Sequence, residues 1–388
     1  MRILRVVSDL YPSVIGGVGL HAHELSRIQS EKGNDVTVVT FLQTPFNYRY
    51  RVISVPISFK WMGNSFSLSL PFVLWRLKNS FDIVHAHSHL FFSTILCAFI
   101  RHFSSTPLII TNHGLFSQTA PLWLQKIYLS TIGRWTLRSA DRILCYTAVE
   151  KDQLIPYGIS EEKIAVIHNG ISSADFSPSN SDPGKQILWV GRFTPGKGVD
   201  VLLDAMKIFH SKFPDYILSM VGDGPLKQHF RHRIIDMDLT DSVILRDFIP
   251  NKDLADLYQE SVLFVLPSLE EGVPRTILEA MSCGVPVVCT DLPQLRDIVD
   301  GCGILVPARD PEVLADALIQ IISDDTRAKQ YGMNGRERVV THYSWDDTVN
   351  QTLKLYQEVI KPMREKNIEQ ESHNASPDSV STYGRTGK

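Results

Sequence analysis

From Val262 to Cys289 the chain spells out a strand, a loop, a short helix and a second strand, an order that predicts parallel β-structure. Val262-Leu263-Phe264-Val265-Leu266 is a continuous apolar run, as a strand buried on both faces requires. Pro267 ends it. Pro274 suits a first helical turn, where its missing N–H is not needed. Thr276 to Ser282 is helix-compatible, Gly284 suits a C-terminal cap, and Val285–Cys289 re-enters as a strand. Glu271 falls in the loop and Glu279 on the helix. On one straight helix these two would lie roughly 12 Å apart along the axis. A loop followed by a helix brings them closer and aims both, with backbone N–H groups and a helix N-terminus, at one spot. Taken singly, Glu271 reads as well as a turn cap and Glu279 as a solvated helix residue.

The same alternation runs through the chain. Apolar runs at Ile3–Ser8, Val36–Phe41, Ile83–His87, Leu108–Thr111, Arg142–Cys145 and Val166–His168 are predicted strands, separated by helices such as Leu20–Lys32 and Leu90–His102. Ser172 to Lys185 has linker composition. A second series follows: strands at Ile187–Val190, Ile217–Val221, Val243–Leu245, Leu263–Leu266, Val285–Cys289 and Ile304–Val306, with helices at Val199–Phe213, Asp253–Glu260 and Pro311–Ile322. The expected fold class is α/β, with two doubly wound, Rossmann-like parallel-sheet domains facing across a cleft. At 388 residues the chain has the length for two cores. Trp345 to Ile360 is amphipathic at helical spacing. Beyond Lys361 the sequence is polar and serine-rich, and a disordered tail is expected.

In doubly wound sheets, ligands gather where strands end. Val190-Gly191-Arg192-Phe193-Thr194-Pro195-Gly196-Lys197-Gly198 sits at such an end and opens a helix. Gly191 lets backbone approach an anion, Arg192 offers a planar fork of donors and Lys197 a mobile point charge. The helix start adds its positive end, and the whole reads as a pyrophosphate clamp. It does not match the Walker pattern. Gly16-Gly17-Val18-Gly19 follows the first strand without the dinucleotide spacing Gly-x-Gly-x-x-Gly, yet Gly16 and Gly17 can bring N–H groups to a phosphate. His113, just past Leu108–Thr111, can hydrogen-bond a hydroxyl or phosphate as a neutral imidazole. His85, His87 and His89 alternate at a strand end, but no carboxylate or thiolate pattern accompanies them, so no metal is expected.

A formal net charge of −3 provides no general attraction to nucleic acid. The five cysteines include no CxxC pair, and Cys145, Cys283 and Cys289 lie in apolar segments, which suits reduced thiols and a cytoplasmic setting. Leu90 to Phe103 is shorter than the ~20 residues a membrane span needs. Pro121 to Arg142 carries Trp123, Trp135, Lys126, Arg134 and Arg138, either a packed helix with a solvated edge or a face for peripheral contact at the cytoplasmic membrane.

Together, Arg192 and Lys197, the Glu271-x7-Glu279 unit with Ala280-Met281-Ser282-Cys283-Gly284-Val285-Pro286-Val287-Val288, Gly16-Gly17-Val18-Gly19, Asp82-Ile83-Val84-His85-Ala86-His87 and Val221-Gly222-Asp223-Gly224-Pro225-Leu226 resemble the retaining GT-B glycosyltransferases of glycosyltransferase family 4. The resemblance spans about Met1 to Ile360. It implies an acceptor-side domain at 1–175, a nucleotide-sugar donor domain at 185–340, and a helix at 341–361 packing back on the first domain before a tail at 362–388. It implies a nucleoside-diphosphate sugar donor, a glycan or lipid-linked acceptor, and no cofactor. By the same resemblance, Arg192 and Lys197 bind the diphosphate, Glu271 the sugar, Glu279 the ribose, and His113 sits beside the sugar and the departing phosphate. Gly272, Val273 and Pro274 complete the donor loop. Many members have Glu-Gly-Phe-Gly where this chain has Glu271-Gly272-Val273-Pro274, and Pro274 removes one N–H there. A catalytically silent binding protein and a nucleotide-sugar epimerase are the rival readings of the same fold.

Overall fold

The apolar runs assemble side by side into two parallel sheets. The computed structural model describes residues 1–13, 16–41, 46–115, 121–179 and 183–374. The N-terminal strands are β1 (Arg2–Val6), β2 (Asp35–Thr40), β3 (Arg51–Ser54), β4 (Phe59–Trp61), β5 (Asn64–Phe66), β6 (Ile83–His87), β7 (Leu108–Thr111), β8 (Arg142–Cys145) and β9 (Ile164–Val166). Seven of them form a parallel sheet in the order β3-β2-β1-β6-β7-β8-β9, while β4 and β5 make a separate antiparallel hairpin. The helices are α1 (Gly17–Glu31), α2 (Leu70–Leu77), α3 (Phe92–Arg101), α4 (Leu122–Tyr128), α5 (Arg134–Ser139) and α6 (Ala148–Leu154), with a π turn at Leu129–Gly133 joining α4 to α5.

The C-terminal strands are β10 (Gln186–Val190), β11 (Ile217–Val221), β12 (Val243–Arg246), β13 (Ser261–Leu266), β14 (Val287–Thr290) and β15 (Gly303–Val306), in the order β12-β11-β10-β13-β14-β15. Around them lie α7 (Val199–His210), α8 (Lys227–Asp236), α9 (Ala255–Gln259), α10 (Arg275–Ser282), α11 (Pro293–Val299), α12 (Pro311–Ser323), α13 (Asp325–His342) and α14 (Trp345–Asn374). All ladders of both large sheets are parallel. Strand order reverses at β1/β6 and at β10/β13, the crevices where such sheets take ligands.

The central strands of each sheet are buried on both faces, which is why they read as apolar runs. In the N-terminal sheet, Leu4, Val6, Ala86 and Ile110 pack under Leu74, Ala98 and Leu137 of α2, α3 and α5. The opposite face, Ile3, Ile83 and Ile109, is covered by Ala22 of α1 and by Leu355, Tyr356, Val359 and Ile360 of α14. The last helix therefore leaves the C-terminal sheet and completes the core of the N-terminal one. Arg5 on β1, fully buried, fastens this cover: it donates to Ser26 Oγ, Gln29 Oε1 and Tyr356 Oη at 2.6, 2.8 and 3.2 Å.

Two expectations change. The helix starting at Trp345 continues to Asn374, past the Lys361 where the disordered tail was expected to begin; Arg364, Glu365, Lys366, Glu369, Gln370 and Glu371 are good helix formers. Residues 375–388 of that tail, and 180–182 of the linker, lie outside the described residues. The last N-terminal strand is Ile164–Val166 rather than Val166–His168, because Ile164 to Val166 are the residues that pair with Ile143 to Cys145. No described helix is long and apolar enough to cross a membrane.

Candidate active site

On the C-terminal sheet, three loops leave neighbouring strand ends and lock together through glycine. Gly198, at φ +64, sits so close to β13 that a Cβ would overlap the carbonyl oxygen of Pro267. Gly222, just after β11, stands in the same relation to the carbonyl oxygen of Gly191. Leu269 N–H donates to the Gly196 carbonyl at 2.8 Å. The turn carrying Lys197 is thus pressed onto the loop carrying Glu271, and Lys197 Nζ meets Glu271 Oε1 at 2.5 Å. The two side chains are 16% and 9% exposed, so the pair is largely withdrawn from water. An ammonium has three donors, so two of Lys197's remain for other acceptors. Arg192, from the same loop, is exposed, and no partner for its guanidinium is seen among the described residues. Gln294 Nε2 donates to the Glu271 carbonyl oxygen and fixes the loop from α11.

Pro274 is the N-cap of α10 rather than a residue within its first turn. The first-turn N–H groups of a helix have no carbonyl one full turn back to bond; here the Ile277 N–H is taken by the Pro274 carbonyl at 3.2 Å, and no side chain caps the helix, which starts just after Gly272 and Val273. Glu279 lies on the same helix but is 2% exposed. Asn251 Nδ2 donates to its Oε1 at 2.7 Å and Tyr258 Oη to its Oε2 at 3.0 Å, while Arg275 Nε lies 3.7 Å away. An ionised carboxylate offers about four acceptor positions, so these contacts orient Glu279 without saturating it.

Facing this, the N-terminal sheet presents a cluster of rings. His113 follows β7 and is half-buried; its Nε2 is 3.1 Å from His87 Nδ1 and its Nδ1 3.2 Å from Tyr146 Oη. His85 stacks on His87 with centroids 4.6 Å apart and bonds Tyr356 Oη and Thr111 Oγ1 at 2.5 and 2.6 Å. His21 packs edge-on against His113 and bonds Asn169 Oδ1 at 2.9 Å. Burial, helped by the Arg5 charge at His21, His85 and His87, keeps these rings neutral: His21 falls to about 3, His89 to about 4, and His85, His87 and His113 lie well below the ordinary value. His85 therefore bonds hydroxyl partners and His87 a ring partner, and no described cluster has the make-up of a metal site.

Gly17 begins α1 and Gly16 precedes it, and both have open space where a side chain would go. The glycine whose smallness the packing uses is Gly19: a Cβ there would lie 3.0 Å from the Asp9 carbonyl oxygen.

Two links across the domains were not foreseen. Arg275 Nη1 donates to the Gly170 carbonyl at 3.2 Å. Glu150, near the start of α6, is buried; its Oε2 accepts the Tyr146 N–H at 2.9 Å, and its Oε1 has no partner and points toward Gly272, 3.6 Å from where a Cβ would sit. Burial raises its carboxyl to about 7, against the lowering effects of the Tyr146 N–H and of the Asn112 side chain. Thr147-x-x-Glu150 is a capping-box pattern, and Thr147 Oγ1 does accept the Glu150 N–H at 3.2 Å, so the sequence signal for this residue was present.

The geometry is one of cations, a helix N-terminus without a side-chain cap and shielded carboxylates on one domain, opposed by neutral rings on the other. That set can hold a doubly charged phosphate group and read hydroxyls beside it. Residues 15–175 match the family model described as Glycosyltransferase Family 4, and residues 172–338 that described as Glycosyl transferases group 1. The chain is similar to the alpha-maltose-1-phosphate synthase of Mycolicibacterium smegmatis, 25% identical across 92% of this chain and all of that one. Its fold is similar to that of sucrose-phosphate synthase from Thermosynechococcus elongatus, with a TM-score of 0.79 at 22% identity over 93% of this chain and 99% of that one. Anabaena HepE, solved in complex with UDP and glucose, superposes with a TM-score of 0.78 at 19% identity over 92% of this chain and 100% of that one.

Proposed function

The chain belongs to glycosyltransferase family 4, with two Rossmann-like domains in the GT-B arrangement, and on that premise we propose that it moves a sugar from a nucleoside diphosphate to an acceptor hydroxyl with retention at the anomeric carbon. The family membership makes it a glycosyltransferase; the sugar, the stereochemistry and the residue roles are our reading. The observation that carries it is the clamp at the β10/β13 crevice. There Lys197 is held by Glu271 in the loop that leads into α10, and Arg192, from the loop of Lys197, is exposed.

In this reading Arg192 and Lys197 neutralise charge as it builds on the departing diphosphate, the role that fixed cations fill best in a preorganised site. Glu279, oriented by Asn251 and Tyr258, takes the ribose hydroxyls. Glu271, whose Oε1 is engaged by Lys197, accepts from the sugar. The amides of Gly272 and Val273 line the donor, Pro274 contributing no N–H and the Gly191 N–H being held by the Val221 carbonyl at 3.0 Å, and Gly16 and Gly17 leave room for it on the other domain. His113, neutral, bonds a sugar hydroxyl or the leaving phosphate. The acceptor oxygen bonds to the anomeric carbon on the face from which the phosphate oxygen departs, and that phosphate oxygen takes the acceptor's proton. A glycan or a lipid-linked hydroxyl is the acceptor.

A thermal-shift screen across nucleoside diphosphates tests the clamp. A ligand at 100 times its dissociation constant adds about 2.7 kcal/mol, and Arg192→Ala and Lys197→Ala should erase that gain. The anomeric configuration of the product, read by NMR, tests retention; an inverted product refutes it.

A further inference from the structure

The layer α2, α3 and α4–α5 covers one face of the N-terminal sheet, and its outer side is unusual. Trp75, Phe99, Phe103 and Trp135 are 47%, 51%, 53% and 38% exposed. They are neighbours: Trp75 and Phe103 have centroids 5.7 Å apart, Phe99 and Phe103 5.3 Å, and Trp135 stacks at 5.7 Å on His102, which adjoins Phe103 in sequence. Lys78 Nζ lies 3.5 Å above the Trp75 ring. Between α3 and α5 an open groove of about 450 Å³ is lined by His102, Thr131, Arg134, Trp135, Arg138 and Ser139.

The charge around this band is one-sided. Between Asp35 and Asp141 the sequence holds nine lysines and arginines but a single acidic residue, Asp82, which is paired with Arg2; of the nine, Arg49 is paired with Glu31 and Arg101 with Asp141. The chain as a whole carries −3, so the positive charge is concentrated in this part of the molecule.

We propose that this face rests on an anionic lipid bilayer, with the aromatic rings at the headgroup level and a lipid phosphate in the groove beside Arg134 and Arg138. Half-exposed Trp and Phe among lysines and arginines, with Asp141 already taken by Arg101, is the composition of an interfacial helix face. A second copy of the chain is disfavoured because two like-charged faces would meet. Nucleic acid is disfavoured because the band continues into Leu68 and Phe72, 76% and 77% exposed; an aliphatic side chain such as Leu68 sinks into an acyl boundary but gives a base nothing to stack on. The face belongs to the domain that our reading makes the acceptor side. The inference thus rests on that reading for one consequence only, that the acceptor hydroxyl is carried by a membrane lipid.

The test is co-sedimentation of the full chain with vesicles of phosphatidylcholine alone or mixed with phosphatidylglycerol. Binding is expected to the anionic vesicles and to vanish in about 1 M salt, where the Debye length is about 3 Å. Each lysine or arginine near the surface contributes about fivefold to partitioning, so Arg76→Gln, Lys78→Gln and Lys126→Gln together should weaken it on the order of 100-fold. Trp75→Ala with Phe103→Ala should weaken it as well, in protein whose melting temperature is unchanged; if that variant unfolds, the charge variant decides alone. Absent binding to anionic vesicles, undiminished binding of the charge variant, retention by single-stranded RNA in place of vesicles, or a dimer lost in the charge variant would each overturn the proposal. Vesicle binding without sugar transfer would instead count against the reading under Proposed function and leave this one standing.

Discussion

Replacing Glu150 by glutamine should make the protein more stable at pH 8 and change little at pH 5. The carboxyl is buried, keeps Oε2 on the Tyr146 N–H and leaves Oε1 without a partner, and burial lifts it from 4.5 to about 7. A group whose folded value is raised contributes stability that is intact below pH 4.5 and lost as the pH climbs through about 7. At about 1.4 kcal/mol per unit, the gap between those values is on the order of 3 kcal/mol. Glutamine retains an acceptor for the Tyr146 N–H and never ionises, so it escapes that loss. If the N-terminal domain melts as its own unit, the difference corresponds to roughly 6–12 °C. Calorimetry of both proteins at pH 5 and pH 8 isolates the effect, because the histidine contributions are common to both and cancel. A melting-temperature difference that is the same at the two pH values would refute the argument that Glu150 is charged against its surroundings.

Arg192→Ala should lower kcat/KM by at least ~10²-fold, the scale for losing one charge-stabilising group, with near-normal melting because the side chain is exposed; steady-state kinetics with a cognate donor checks it. Glu271→Ala strands Lys197 in a largely buried site and should cost about 3–5 kcal/mol, measured by urea unfolding. Tyr258→Phe removes a donor from the buried Glu279 and should cost about 1–3 kcal/mol while raising KM for the donor. The neutral rings His21, His85, His87, His89 and His113 have depressed values, so their stability is present above the ordinary 6.5 and drains as pH falls toward about 4 and about 3; urea midpoints followed from pH 7 to pH 4 should fall. Gly198→Ala meets both a left-handed backbone and the Pro267 carbonyl, so it should cost about 2 kcal/mol or more and weaken nucleotide binding in a thermal-shift titration.

The central C-terminal strands β10, β13 and β14 were legible because they are core strands with apolar interiors, and β11, β12 and β15 still carry enough apolar residues to fall where their runs lie. β3 was not: Arg51–Ser54 is an edge strand with exposed and half-buried residues, so it lacks both a run and a clean alternation. The loops bearing Arg192, Lys197, Glu271 and His113 were readable from strand ends and glycines. What they touch was not. Lys197 and Glu271 are 74 positions apart, and their contact depends on how closely Gly198 lets two backbones approach. Glu150 carried a capping signal, but its raised carboxyl comes from burial between domains, which no local pattern encodes.

The crossing of α14 has a consequence for how the protein is made. Leu355, Tyr356, Val359 and Ile360 close a sheet whose own strands end at Val166. During synthesis at ~5–20 residues per second, that sheet waits on the order of ten seconds or more with the part of one apolar face that α1 does not reach uncovered until α14 leaves the ribosome. The nascent first half is therefore a natural client for a chaperone, and an N-terminal fragment expressed by itself should aggregate unless the helix peptide is supplied in trans.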